Sequence, residues 1–381
     1  MKRFASLTLL YIFLLGAARA QVAYDFNLLV GKVVKNYPRF PDSKAAILAR
    51  FSYNKKLTGG SPWHQYYSYP EWTVQANYGS LGNKEELGNI SGLSTGLRFT
   101  KELDDRWAVG VNATFGIAYF NQPFDEVSNP DNVAIGASFT PLATADAGFY
   151  YHINPYWSAF SMLSILHCSN AHTHLPNLGI NLPAISFGIR YRPTPAILTQ
   201  QKTESTVTDK KPKLNFRLAL GLHEMGSSEG PVDGPEFPVY LASIYIYRHY
   251  NPVSRWQMGI DAYYDSGVYS YITSQRYYDT NEKLKSMSVV YMIGNEFIFG
   301  HLSLVTQGGI YLYHPFAHDL YEESDGDVKG FLKQYVAGRL GFQYYLKNTF
   351  LQKHQNLFLG WYVKTNLGQA DFMEMSLGYN F

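Results

Sequence analysis

Between Trp107 and Tyr119 every second residue is apolar: Trp107, Val109, Val111, Ala113, Phe115, Ile117 and Tyr119 alternate with Ala108, Gly110, Asn112, Thr114, Gly116 and Ala118. A period of two is the mark of a strand with one greasy and one small or polar face. The pattern returns at Leu214, Phe216, Leu218, Leu220 and Leu222 against Asn215, Arg217, Ala219 and Gly221, and at Leu93, Thr95, Leu97 and Phe99 against Ser94, Gly96 and Arg98. It closes the chain, where Met373, Met375, Leu377, Tyr379 and Phe381 alternate with Glu374, Ser376, Gly378 and Asn380.

Alternating segments of about ten residues, separated by turns and edged by aromatics, predict a transmembrane β-barrel. A last alternating strand that ends on an aromatic resembles the signal by which bacterial outer-membrane barrels reach their assembly machinery, so Phe381 is expected to present the strand to it. The soluble alternative is a secreted sandwich or a lipocalin-like barrel. Short links ("KELDDR", "HINP", "NPVSR") alternate with long ones ("NQPFDEVSNPDNV", "HPFAHDLYEESDGDVKG"), as periplasmic turns and outer loops do in an up-and-down barrel. The link at 58–69 is longer than this rule expects.

Counting segments gives about eight strands before residue 193 and about eight after 212. The fold class is therefore all-β, antiparallel, with about 16 strands in two halves. "RWAVGVNA" at Arg106 is similar to "RWQMGIDA" at Arg255, and "NLPAISFGIRY" at Asn181 to "DFMEMSLGYNF" at Asp371, which relates the halves by duplication or by chance likeness of two strand pairs. One large barrel or two small ones satisfy the pattern equally, because the sequence specifies pairing only locally. The expected organisation is a signal peptide at 1–20, a first barrel half at 21–193, a polar periplasmic linker at 194–212 and a second half at 213–381.

Composition changes the picture in two ways. Mean hydropathy is only −0.20, yet aromatics make up 16% of the chain and charged residues also 16%, below the ~25% charged of soluble domains. The segment MKRFASLTLLYIFLLGAARA has basic Lys2 and Arg3, an apolar run and an Ala18-Arg19-Ala20 ending, the plan of a secretory signal peptide whose apolar run is too short to span a bilayer. Together these place the chain in the outer membrane of a Gram-negative cell. A net charge of +2 gives no case for nucleic acid, and a single cysteine excludes an internal disulfide framework.

Chemistry concentrates in "SILHCSNAHTHLPNLGIN", residues 164–181. The strand that follows "HINP" runs outward, and His167 and Ser169, two apart, project from one face at its outer end. Trp157 and His167 are separated by roughly 33 Å of strand, or on the order of 23 Å of height at a tilt of about 45°, against an apolar band ~25 Å tall. Trp157 thus falls in the inner aromatic girdle and the pair at the outer-leaflet interface, where lipopolysaccharide carries acyl esters. Serine needs a base to become a nucleophile. By spacing alone the two residues are either such a pair or ordinary interfacial polar groups.

"HCSNAHTHLPNLGIN" followed by the strand "LPAISFGIRYRP" resembles the motif of the PagL-type lipid A 3-O-deacylases at His167, Ser169, Asn170, Pro176, Asn177 and Gly179. The resemblance implies an outer-membrane serine esterase acting on lipid A, with Ser169 as nucleophile and His167 as base. Asn170, Asn177 and Gly179 would serve oxyanion or substrate binding, and no cofactor is called for. Where many members carry a glutamate to orient the histidine, this chain has Asn181, and no acidic residue lies between Asp146 and Glu204. An asparagine can hold the tautomer through its amide oxygen but supplies no charge. The competing class is a non-enzymatic barrel, a porin, adhesion protein or scaffold.

Other patterns read as structure. His167, His172 and His174 have no accompanying carboxylate for a metal, and the two loop histidines are expected to meet lipid headgroups. Cys168, on the opposite face from its neighbours, is expected to pack. "GSSEG" at 226–230 matches G-x-S-x-G, but the nucleophile elbow needs a strand-to-helix turn, and this copy falls in an outer loop. The acidic run Glu322, Glu323, Asp325 and Asp327 reads as a solvated loop. In the second half Lys364 and Asn366 align with His167 and Ser169 and cannot repeat their chemistry.

Overall fold

A computed structural model describes residues 21–59, 61–195, 209–232, 234–321, 328–349, 355–366 and 369–381. The signal-peptide segment, residues 196–208 of the linker and the acidic run at 322–327 lie outside the described residues.

Among the described residues, sixteen strands close into two antiparallel barrels of eight. The first comprises β1 (Val22–Lys32), β2 (Ala45–Lys56), β3 (Glu71–Ser80), β4 (Asn89–Glu102), β5 (Trp107–Phe120), β6 (Phe139–His152), β7 (Trp157–Cys168) and β8 (Ile180–Tyr191). It closes by pairing β1 with β8, from Tyr24 opposite Tyr191 to Gly31 opposite Ala184. The second comprises β9 (Lys213–Glu224), β10 (Glu236–Asn251), β11 (Ser254–Asp265), β12 (Met287–Phe299), β13 (Leu302–Tyr313), β14 (Val336–Tyr345), β15 (Asn356–Thr365) and β16 (Ala370–Asn380). It closes between β16 and β9, from Asn380 opposite Asn215 to Met373 opposite Leu222. Closure leaves no unpaired edge, the condition for crossing a bilayer with strands. Among the described residues no helix is long and apolar enough to cross a membrane.

The alternation predicted from sequence is the alternation of outside and inside. Val111, Ile117, Leu163, Ile185, Phe187, Leu218, Leu220 and Leu377 are exposed on the barrel walls, an arrangement that in water would be one large apolar patch and in lipid is the normal outer surface. The interiors hold the polar residues. In the first barrel Arg50 pairs with Asp146 at 2.8 Å, and Arg190 pairs with Asp25 at 2.9 Å and with Glu71, while Arg98 also reaches Asp25. In the second, Arg339 pairs with Asp261 and Glu374, both at 2.7 Å, and Arg255 with Glu296 at 2.7 Å. Each of these buried charges has an opposite charge beside it, the arrangement a closed interior requires.

At the long-loop end the first barrel changes character. Leu29, Leu48, Ile90, Phe120, Leu142, Leu166, Cys168 and Ile180 point inward and pack against Phe40, Leu81, Leu87, Val133, Ala134 and Ile135 from the loops. This apolar plug fixes the outer ends of β7 and β8. At the opposite end Trp107 packs on Tyr151 with ring centroids 5.0 Å apart, and Trp157 on Tyr191 at 4.7 Å, which agrees with the inner aromatic girdle.

The long link after β2 contains a one-turn helix, α1 (Pro62–Tyr66). Its Trp63 edges onto Tyr67, which in turn edges onto Phe99 at 5.9 Å. The extra length thus adds aromatic surface on the turn side. In the second barrel the long loops fold as α2 (Ser266–Gln275), α3 (Glu282–Lys285), α4 (Pro315–Tyr321) and α5 (Val328–Tyr335). The chain divides into two compact units, and the segment Asn170–Asn177 groups with the second unit although it joins β7 to β8 of the first.

Candidate active site

The start of β7 is set by Asn154, whose Oδ1 accepts the backbone N–H groups of Tyr156 and Trp157, each at 2.9 Å. From there the pleat sends Phe160, Met162, Leu166 and Cys168 inward, and leaves Leu163 at 70% and Ile165 at 57% exposure on the lipid side. His167 continues that outward row. On β8 the outward row runs Pro183, Ile185, Phe187 and Ile189, with Asn181 at its outer end. The register sets Asn181 directly opposite His167.

The two side chains meet: His167 Nδ1 lies 2.8 Å from Asn181 Oδ1. An amide oxygen only accepts, so Nδ1 donates and Nε2 is left with a free lone pair. That is the tautomer a general base needs.

Ser169 is the first residue after β7 and is half-buried. Gly179 precedes β8 with φ +75°, and a Cβ added there would stand 3.1 Å from the Cys168 carbonyl oxygen, 3.5 Å from Ser169 Cβ and 3.8 Å from His167 Cε1. Serine and imidazole therefore crowd onto the same glycine. The left-handed backbone and the close approach both call for the missing side chain. Its N–H donates to the Ala134 carbonyl at 2.9 Å, and Leu178 N–H donates to Val133 at 3.2 Å, which ties this corner to the apolar plug.

The structure brings His167, Ser169, Gly179 and Asn181 together. Asn170 and Asn177 are buried and come together with each other: Asn170 N–H donates to Asn177 Oδ1 at 3.3 Å, and Asn170 Nδ2 donates to the His174 carbonyl at 2.6 Å. In the resting loop their side chains shape the turn.

Cys168 is fully buried in the apolar plug, the packing role expected of it. His172 does not meet lipid headgroups. It is 5% exposed, its Nε2 lies 2.8 Å from Gln369 Nε2 and 3.3 Å from Ser228 Oγ, and burial pushes its pKa down to about 4. The expectation of a headgroup contact fails because this polar loop packs, which leaves His172 buried. Ser228, the serine of "GSSEG", lies in the β9–β10 loop and accepts Gln369 Nε2 at 2.6 Å.

The alignment of Lys364 with His167 is also corrected. Lys364 points into the second barrel, where its Nζ donates to Tyr311 OH at 2.7 Å and meets Asp371 at 3.2 Å, so the two residues lie on opposite faces of their strands. Together with Lys364 and Asn366, residues such as His223, His314 and Asp371 line a cavity of about 230 Å³ in the second unit. Sequence reasoning missed Glu224, Ser228 and Gln369 as partners of the loop. Their bonds to it span 49 residues or more, so the "GSSEG" pattern was the one local signal, and it points to a structural serine.

Residues 47–190 match the family model described as lipid A 3-O-deacylase (PagL), and residues 212–381 match the model described as the C-terminal domain of acyloxyacyl hydrolase. Between them the two models span most of the chain. Among solved structures, the chain is similar to the outer membrane enzyme PagL (17% identity over 43% of this chain and 97% of that one, TM-score 0.30). It is also similar to a de novo designed transmembrane β-barrel (16% identity, 45% and 94% covered, TM-score 0.23) and to the Pseudomonas putida toluene transporter TodX (8% identity, 94% and 87% covered, TM-score 0.15). No curated protein matches the chain.

Proposed function

Since the chain belongs to the PagL-type lipid A 3-O-deacylase family, we propose that Ser169, His167 and Asn181 form its ester-hydrolysing site. The protein is an outer-membrane β-barrel and a lipid A deacylase. The observation that supports the site assignment is the 2.8 Å contact from His167 Nδ1 to Asn181 Oδ1 on the outward wall: it would hold the base in its working tautomer, with Ser169 two residues along the chain.

As Ser169 Oγ attacks the ester carbonyl carbon, His167 Nε2 takes its proton. The tetrahedral intermediate collapses and expels the sugar oxygen, which takes the proton back from Nε2 and leaves as a hydroxyl. The acyl group stays on Ser169. Water, deprotonated by the same nitrogen, then releases the fatty acid and restores the serine. Asn181 orients the imidazole throughout. Because it is neutral it adds less to the imidazolium than a carboxylate would, so turnover is modest.

The oxyanion must be met by nearby N–H groups. Asn170 N–H is the candidate donor, since its 3.3 Å bond to Asn177 Oδ1 is long and readily exchanged; Asn177 and Gly179 set the turn that presents it. The C-terminal strand ending in the exposed Phe381 is the segment offered to the barrel assembly machinery.

The test is to express the chain and its Ser169→Ala variant in an outer membrane of known lipid A and compare lipid A species by mass spectrometry. Loss of one hydroxyacyl chain with the first and not the second supports the assignment. Unchanged lipid A with both folded proteins removes it.

A further inference from the structure

The long-loop end of the second barrel holds a cavity of about 230 Å³, walled by strand ends and by the loop helices α2, α4 and α5. That is larger than the ~150 Å³ that admits a benzene ring, and barrel mouths are common seats for ligands. At its inner side the lumen is filled: Tyr263 OH donates to Asp261 Oδ2 at 3.0 Å and accepts from Arg339 Nη2 at 2.8 Å. The cavity ends at that layer.

Two kinds of surface meet in it. Tyr263, Phe316 and Phe372 supply aromatic area, with Val268, Ala317 and Leu320 beside them. The polar side is built from groups that hold one another in place. Lys364 Nζ donates to Tyr311 OH at 2.7 Å and to Asp371 Oδ2 at 3.2 Å, and Asn366 Nδ2 donates to Asp371 Oδ1 at 3.2 Å. Ser288 Oγ lies 2.7 Å from His314 Nδ1, and the His314 ring stacks on Tyr311 with centroids 4.0 Å apart and planes 10° from parallel. Burial, then Lys364 and His318, push the His314 pKa down to about 3, so near neutral pH the ring carries one N–H and one lone pair. Whichever of the two donates, the Ser288–His314 pair keeps a donor and an acceptor for a third group.

The charges in the wall narrow the class of that third group. Among the described residues, Lys333 and Lys364 stand against Glu224, Asp265 and Asp371, with His223 3.3 Å from Asp265. These nearly cancel, so the cavity has no strong net pull on an ion. A wholly apolar ligand would displace water from the polar side and offer it nothing in return. An uncharged ring with hydroxyls on its rim and C–H groups on its face matches both sides, because C–H hydrogens rest well on the negative faces of aromatic rings. We propose that the mouth of the second barrel is a binding site for a sugar residue, with Ser288 and His314 among the groups that meet its hydroxyls. Free oligosaccharides and the saccharide part of lipopolysaccharide share this chemistry. The site gives the second half a ligand of its own, whatever the residues of the ester-hydrolysing site prove to be.

The experiment uses the full chain folded in a zwitterionic detergent that has no sugar group. The probes are methyl glucoside, methyl N-acetylglucosaminide and the core oligosaccharide released from lipopolysaccharide by mild acid, with phenol for comparison. Saturation-transfer difference NMR reads binding, and heat-modifiable gel mobility reports closed barrels. Saturable transfer to sugar ring protons is expected. Ala317→Trp fills the cavity and should abolish the signal. Leu320→Trp acts from a residue that is 44% exposed and decides the matter if Ala317→Trp does not fold. Ser288→Ala should raise Kd about tenfold, the loss of one hydrogen bond in a buried site. Signal from the core oligosaccharide alone would support the site and identify lipopolysaccharide as the source, whereas signal from the simple glycosides would support it with free sugars. No saturable signal from any sugar probe with the folded wild type would overturn the proposal, and phenol binding in their place would reassign the cavity to aromatic ligands. Undiminished sugar binding in folded Leu320→Trp and Ser288→Ala would overturn it as well.

Discussion

His167 and Asn181 face each other across β7 and β8 as a direct register pair, with Nδ1 and Oδ1 2.8 Å apart. The bond fixes which nitrogen carries the proton, and it does so without a charge. Asn181→Ala should lower kcat by roughly 10- to 100-fold, the worth of a hydrogen bond to a group that becomes charged. Asn181→Glu should raise kcat and shift the acid limb of the pH–rate profile upward, because a carboxylate stabilises the imidazolium. Profiles of the two variants in mixed micelles check both directions; a higher kcat in Asn181→Ala would contradict them.

Gly179 offers a second prediction. Any side chain there meets an unfavourable φ of +75° and crowds the Cys168 carbonyl, Ser169 and His167. Gly179→Ala is expected to cost about 1–2 kcal/mol in backbone strain. It should also lower deacylation at least tenfold, about 1.4 kcal/mol in barrier, by prising serine from histidine. Gel mobility against temperature, measured with lipid A turnover, separates the two effects.

The filled interiors bear on transport. Arg50, Arg98 and Arg190 with Asp25, Glu71 and Asp146 in one barrel, and Arg217, Arg255 and Arg339 with Asp261, Glu296 and Glu374 in the other, occupy the lumens with paired charges. Planar-bilayer recordings of the folded protein should show no steady pore conductance. Asp25→Ala, which leaves two guanidinium groups with a lost partner, should destabilise the first barrel by about 3–5 kcal/mol, read as a lower urea midpoint for unfolding.

His172 predicts an acid response. Burial holds its pKa near 4, with Asp371 opposing the shift and His223 and Lys333 adding to it, whereas in an unfolded segment it would titrate near 6.5. The unfolded form therefore binds the proton more readily. Stability is full above about pH 6.5 and falls as the pH drops toward 4, by up to about 3 kcal/mol. Hydrogen exchange of residues 170–177 should quicken over that window, and His172→Gln should flatten the dependence.

The strands were legible because a barrel wall separates lipid from interior at every residue, so one residue of shift reverses the chemistry, as at Leu163 and Ser164. Closure was not legible. The bonds that distinguish two small barrels from one large one join residues such as Tyr24 and Tyr191, far apart in the chain and alike in character to any other strand pair. The proposed site residues His167, Ser169 and Asn181 are singled out by a local motif, and period-two parity puts His167 on the outward face of β7, where the structure has it. The same parity separates Lys364 from His167: Lys364 points into its barrel and His167 out of its own, so the likeness in residue order does not extend to the face. The bonds of Glu224 and Gln369 to the His172 loop left no trace in local spacing.

The outward direction of His167 has a kinetic meaning. As the base proposed above, it would meet its substrate by lateral diffusion, so the quantity that sets the encounter rate is the number of ester-bearing lipids per unit of surface. Diluting that surface with inert detergent or phospholipid slows the reaction while the amount of lipid A in the tube stays the same. The enzyme works in two dimensions, and the composition of its leaflet is its substrate concentration.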